Sequence, residues 1–149
     1  MDPEIPMLSI VDLGIVRKVS LGDDSLAVEI MPTFVGCPAL EMIKESIQER
    51  LADLSLDREV SVKVTMEEPW TTDRMTEKGR QILKSSGFAP PPTGQMPGRG
   101  NLIQLMPVAE CPNCGSRKTT MENAFGPTLC RAIYYCHNCR QPFEQFKQV

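Results

Sequence analysis

Two short cysteine pairs limit what this chain can become more than any other feature. "CPNCG" (residues 111–115) and "CHNC" (residues 136–139) are C-x-x-C knuckles. In a knuckle two thiolates converge on one metal while nearby backbone N–H groups point at the sulfurs, and a glycine such as Gly115 supplies the unusual backbone angles the turn needs. Two knuckles together make a tetrahedral all-sulfur site from Cys111, Cys114, Cys136 and Cys139. So short a segment buries little apolar surface, so bound metal would supply most of its folding free energy. A closed four-thiolate shell leaves no open position for catalysis, which points to structural zinc in a ribbon. A rubredoxin-like iron, or a cluster on the same sulfurs, is the alternative.

The six cysteines could instead form three disulfides. Knuckle spacing argues for reduced thiols, as does an N-terminus, "MDPEIPML", without the basic segment and long apolar core of a secretory signal; the expected location is cytoplasmic. No apolar run is long enough to cross a bilayer, so no membrane partner is expected. Net charge of −3 and a pI near 5.2 give no support to general nucleic-acid binding. From Glu110 onward Arg117, Lys118, Arg131, Arg140 and Lys147 outnumber Glu110, Glu122 and Glu144, a mild basic tilt that offsets thiolate charge. A ribbon reading nucleic acid with Tyr134 and Tyr135 is the weakest of the functional readings. His137 reads as an exposed bystander, with a competing ligand as the alternative, and Cys130 as a small buried thiol in a strand with Ile133, with a redox role as the alternative.

Upstream, periodicity defines a different kind of domain. Leu13, Ile15, Val19 and Leu21 share one side of a strand, with Arg17 breaking the alternation; "GDDS" turns, and Leu26, Val28 and Ile30 alternate again. After Pro38 the period becomes helical, with Leu40, Ile43, Ile47, Leu51 and Leu54 on one stripe. "VSVKVTME" is a third strand. A second helix is expected after Thr72, with Met75, Gly79, Ile82 and Leu83 apolar and Gly87 as its stop. The order β-β-α-β-α implies an α+β fold, a small sheet of about three strands packed against two helices, followed by the ribbon. The expected domains are residues 1–88, a Pro/Gly-rich linker at 89–108 within and beyond "FAPPPTGQMPGRG", and the ribbon at 109–149.

A sixth cysteine, Cys37 in "PTFVGCPALEMI", sits where strand hands over to helix. A helix N-terminus stabilises an anion, so a thiolate is expected there and could act as a nucleophile or ligate iron. The residue could equally be a small apolar group closing a tight turn, and spacing does not decide between the two. Asp2 and Glu4 flank Pro3, Asp12 reads as a cap, and Thr33 could hydrogen-bond to such acids.

"DPEIP", "SIVDLGIV" and "PTFVGCPALEMI" resemble the iron–sulfur assembly family that includes SufT-type proteins and PaaD (also called PaaJ). "EPWTTDRMTEKGRQIL", "GFAPP" and the terminal "CPNCGS" with "FGPTLCRAIYYCHNCRQPFEQFK" narrow the resemblance to the PaaD branch and extend it over nearly the whole chain. The resemblance implies a non-catalytic maturation factor for the iron–sulfur or iron centres of the multicomponent phenylacetyl-CoA epoxidase of aerobic phenylacetate degradation. The partners implied are that system's oxygenase and iron–sulfur reductase. The alternative is a stoichiometric component or docking adaptor of the same oxygenase. Carried over residue by residue, the family's polar pocket falls on Asp2, Glu4, Thr33 and Cys37, with Cys37 as the contact for transient iron or cluster; Asp12, Leu13 and Gly14 match a second, structural motif. One thiol cannot complete a cluster's shell, so a homodimer or the recipient must add ligands. Relatives usually carry a helix before "DPEIP", so part of the sheet's cover, and the order of Asp2 and Glu4, are expected to be reduced here.

Overall fold

The computed structural model of the chain describes residues 1–54, 58–92 and 108–147. It divides into two compact units, Met1–Trp70 and Thr71–Val149.

In the first unit, β1 (Val16–Leu21) and β2 (Ser25–Ile30) form the expected hairpin, closed by the Gly22 N–H donating to the Ser25 carbonyl at 2.8 Å. β3 (Glu59–Val64) lies parallel to β2, giving the order β1-β2-β3. Parallel neighbours need a crossover, and α1 (Leu40–Ala52) supplies it between β2 and β3. Arg17 breaks the alternation because the β1–β2 register slips between Val16 and Lys18. The bulge leaves Val16 opposite Ile30 and frees Arg17 to bond Glu29 at 3.0 Å, with Glu67 and Glu68 within 3.5 Å. The core gathers Ile5, Leu8, Leu13, Ile15, Leu26, Val28, Ile30, Ile43 and Val62. Trp70 completes it, buried, its indole N–H donating to the Leu13 carbonyl at 3.0 Å. α1 begins two residues later than Pro38 suggests, with Ala39 as N-cap, and Leu54 of the expected stripe lies beyond its end and is exposed.

The second unit holds α2 (Glu77–Ser85), β4 (Phe88–Ala89), β5 (Thr119–Asn123), β6 (Arg131–Cys136) and β7 (Pro142–Phe146). Its sheet has the order β4-β7-β6-β5. Thr72 opens a short 3-10 turn, Thr72–Arg74, and the cap of α2 is Thr76, whose hydroxyl accepts the Gly79 N–H at 3.0 Å. Thr72 instead donates to the Pro92 carbonyl, and Arg80 donates to the carbonyls of Pro91 and Thr72, fastening the chain after β4 to α2. The sequence reads Phe88 as the start of a linker, yet Phe88–Ala89 pairs with Glu144 and Gln145 of β7 and Ala89 is buried. That pairing groups α2 and β4 with the ribbon strands in the second unit. Most of the expected linker lies outside the described residues. The core of this unit is Ala89, Ala109, Cys111, Ala132, Tyr134, Cys136 and Phe143, with the Tyr134 and Phe143 rings stacked at 5.6 Å. Among the described residues no helix is long and apolar enough to cross a membrane.

Thr76→Ala removes the cap of a nine-residue helix and should cost about 1 kcal/mol of stability, read by denaturant unfolding. Thr71→Ala, at a position with no side-chain cap bond, should cost much less.

Candidate metal centre and the Cys37 pocket

The sulfurs of Cys111, Cys114, Cys136 and Cys139 all lie within 4.8 Å of one another. Cys111 and Cys139 are 3.7 Å apart, Cys114 and Cys136 3.6 Å. Four sulfurs bound at about 2.3 Å around one tetrahedral ion sit about 3.8 Å from each other. The donor set and its spacing therefore fit a single ion; a cluster would put several irons between the sulfurs and hold them farther apart.

The two knuckles repeat each other's backbone. Cys111 N–H donates to the Ser116 carbonyl and Gly115 N–H to the Cys111 carbonyl; the counterparts are Cys136 N–H to Gln141 and Arg140 N–H to Cys136, all between 2.8 and 3.0 Å. In each, the residue after the second cysteine is left-handed, Gly115 at φ 70° and Arg140 at φ 59°. Each sulfur also receives backbone N–H groups: those of Cys114 and Asn113 on Cys111, Ser116 on Cys114, Cys139 and Asn138 on Cys136, and Gln141 on Cys139. These partial positive charges favour the thiolates a metal requires. The Ser116 N–H, aided by the Asn138 side-chain amide at 3.7 Å, lowers the Cys114 pKa to about 6. The Cys136 thiol is lowered chiefly by the Cys139 N–H. Burial acts the other way, raising Cys111 and pushing Cys139 up to about 12.

Of the other ribbon residues singled out in the sequence, His137 is exposed, its Nε2 2.8 Å from the Thr120 hydroxyl and its ring edge-on to Tyr135. Cys130 is buried, its sulfur 3.2 Å from the Thr128 hydroxyl. Asn138 escaped the sequence reading, and Arg140 entered it only as a basic residue. The repeat "CPNCG" against "CHNCR" carries the signal for both, since Asn138 and Arg140 occupy the places of Asn113 and Gly115.

Cys37 lies in the turn before α1, after Gly36 at φ 83°, with its N–H donating to the Phe34 carbonyl at 3.2 Å. The stabilised thiolate expected from the helix end is not found. Burial dominates and raises the thiol pKa; Ala39 N–H lowers it, Glu4 and Asp2 raise it, and Leu40 N–H lowers it. Asp2 and Glu4 are thus within electrostatic reach of the sulfur. The reduced order expected at "DPEIP" is not found at Asp2. Asp2 is buried, its Oδ1 accepting the N–H groups of Glu4 and Ile5, while its own N–H donates to the Leu8 carbonyl. Thr33 is buried four residues before Cys37, and Asp12 is half-buried before Leu13.

Residues 1–64 match the family described as iron–sulfur cluster assembly protein, and residues 97–147 the PaaD zinc beta ribbon domain. An Escherichia coli (strain K12) protein named as a subunit of 1,2-phenylacetyl-CoA epoxidase is 39% identical over 148 residues, covering 99% of this chain and 86% of that protein. YitW, an Fe-S protein maturation auxiliary factor of Bacillus subtilis (strain 168), is 34% identical over 83 residues, or 55% of this chain and 80% of its own. Among solved structures, a domain of unknown function (DUF59) from Bacillus anthracis superposes with a TM-score of 0.52 at 27% identity, covering 56% of this chain and 79% of that one.

Arg140→Gly relieves the left-handed strain, which costs about 1–2 kcal/mol with a Cβ, against about 0.5–1 kcal/mol of glycine entropy. The variant should be as stable as the parent or about 1 kcal/mol more stable. Its metal content should be unchanged, with thermal unfolding and metal analysis as the measurements. At Cys37, iodoacetamide alkylation should be slow near neutral pH and accelerate with a midpoint above that of a free cysteine peptide. Glu4→Gln should lower that midpoint, because it removes a charge that opposes the thiolate.

Proposed function

Because the chain belongs to the PaaD family, we propose that it is a non-catalytic maturation factor for the iron–sulfur or iron centres of a multicomponent phenylacetyl-CoA epoxidase. The observation that carries this reading is the joining of two likenesses in one chain. Its first 64 residues match an iron–sulfur cluster assembly family, and nearly its full length is similar to a protein named as part of that epoxidase. Likeness over about half of the chain to named maturation auxiliary factors supports it further.

In this reading the two metal-handling parts divide the work. Cys111, Cys114, Cys136 and Cys139 hold one zinc ion, which when bound fixes the ribbon's fold. Cys37 handles the cargo. Its resting thiol is protonated, because burial and the carboxylates of Glu4 and Asp2 oppose the thiolate. An iron cation entering the pocket reverses that balance: the same carboxylates attract it, and it displaces the proton as the Fe–S bond forms. Release to the recipient is an exchange of the Cys37 sulfur for a recipient cysteine, with no change of oxidation state. The remaining ligands come from a second copy of the chain or from the recipient, the oxygenase or iron–sulfur reductase component.

The relative's name, which makes it part of the epoxidase itself, favours a second reading, a stoichiometric component or docking adaptor of the oxygenase. The two separate on timing. A maturation factor is needed while the metal centres are built and can then be removed; an adaptor co-purifies with the oxygenase and is needed at every turnover.

Anaerobic reconstitution with iron and sulfide should give Cys37-dependent absorption in the wild type and none in Cys37→Ser, with one zinc per chain in both. In cells, Cys37→Ser should leave the reductase without its iron while the variant stays folded. Full maturation by Cys37→Ser would end the cargo role. Stripping zinc with a chelator should unfold the ribbon strands and leave the hairpin and α1 of the first unit intact, as read by amide exchange.

A further inference from the structure

The charges of this chain are sorted by unit. Residues 1–70 carry fourteen Asp and Glu against six Lys and Arg, a net of −8, while residues 71–149 carry five against ten, a net of +5. Within the first unit the sorting is sharper still. The segments around Cys37, residues 1–16 and 30–43, contain Asp2, Glu4, Asp12 and Glu41 and no lysine or arginine, and the base after the second segment, Lys44, is ion-paired to Glu41 at 3.4 Å. The same two segments expose large apolar side chains. Val35, two residues from Cys37, is 77% exposed; Met42, in the first turn of α1, is 59% exposed; Met7, beside the Leu8 carbonyl that holds Asp2, is 67% exposed. Exposed apolar groups clustered around a functional group mark a docking surface more than a solvated one.

We propose that this apolar, base-poor face around Cys37 docks a client protein whose own face has an apolar centre ringed by lysine and arginine. The proposal rests on the maturation reading and adds to it what the client's surface must look like. Charge complementarity selects the partner: a field of eight excess negative charges repels an acidic face and steers a basic one, and the apolar side chains hold the encounter once formed. The arrangement separates recognition from chemistry. Val35 and Met42 contribute contact, while Cys37, half-buried between them in the chain, contributes the exchangeable sulfur.

The test uses the purified full chain and the apo form of the iron–sulfur reductase component as probe, with affinity measured by calorimetry. Raising salt from about 50 to about 300 mM should weaken binding about tenfold. The double variant Val35→Ser/Met42→Ser should weaken it about tenfold at fixed salt, and Cys37→Ser should bind as the parent does. Val35→Ser alone, at a loop position, gives the same direction should the double variant lose structure. Salt-independent affinity, an unaffected double variant or no binding at all would each overturn the proposal. So would a homodimer that the double variant dissolves in sedimentation, since the occupant would then be a second copy. The two readings fail separately: a double variant that still matures the reductase in cells while Cys37→Ser does not removes the docking face and leaves the maturation role. The reverse pattern removes the role of Cys37 and leaves the surface.

Discussion

Convergence of four sulfurs within 4.8 Å is the constraint around which the second unit is arranged. Thiolates this close repel one another, so the backbone must supply compensating charge, and it does so through N–H groups aimed at every sulfur. Aiming them requires a left-handed residue after each second cysteine, and that requirement explains both Gly115 and the strained Arg140. Two of the four sulfurs, Cys111 and Cys136, are then buried in the same core as Tyr134 and Phe143. The metal site and the apolar core of this unit are thus one packing problem.

Cys37 shares the effect of burial with Cys111 and Cys139 but has carboxylates beside it in place of other thiols. Its sulfur also receives backbone N–H groups, from Ala39 and Leu40, but burial and two carboxylates outweigh them. At the ribbon site the Cys114 and Cys136 thiols are lowered while burial raises Cys111 and Cys139, so the four sulfurs differ among themselves; at Cys37 burial and carboxylates act together on a single thiol.

Much of this is legible in the residues. Period changes locate β1, β2, α1 and β3, although in β1 the expected face is not buried: Val19 and Leu21 are exposed, and Leu13 and Ile15 are buried before the strand begins. The knuckle spacing names the four converging cysteines. Other features depend on contacts far apart in sequence. Phe88–Ala89 looks like the head of a proline-rich linker, since only the distant β7 gives those two residues a partner. Thr72 looks like the helix cap because threonine is a good cap residue, but its hydroxyl donates to the carbonyl of Pro92, and Thr76 caps instead. The raised Cys37 pKa is hidden for the same reason: the helix end is local, whereas Asp2 and Glu4 arrive from thirty-odd residues away.

The strand order β4-β7-β6-β5 has a consequence for the timing of biosynthesis. β7 is the last of the described strands in chain order, yet it lies inside the sheet, flanked by β4 and β6. On a ribosome the first unit can close around Trp70 while the second is still being translated. Until Pro142–Phe146 emerges, β4 has no neighbouring strand and β6 has only β5. The nascent chain therefore passes through a stage in which Cys37 stands in a folded environment while the four ribbon cysteines, already synthesised, have no finished sheet to hold them. This is the interval in which the four thiols are open to whichever thiophilic ion reaches them first.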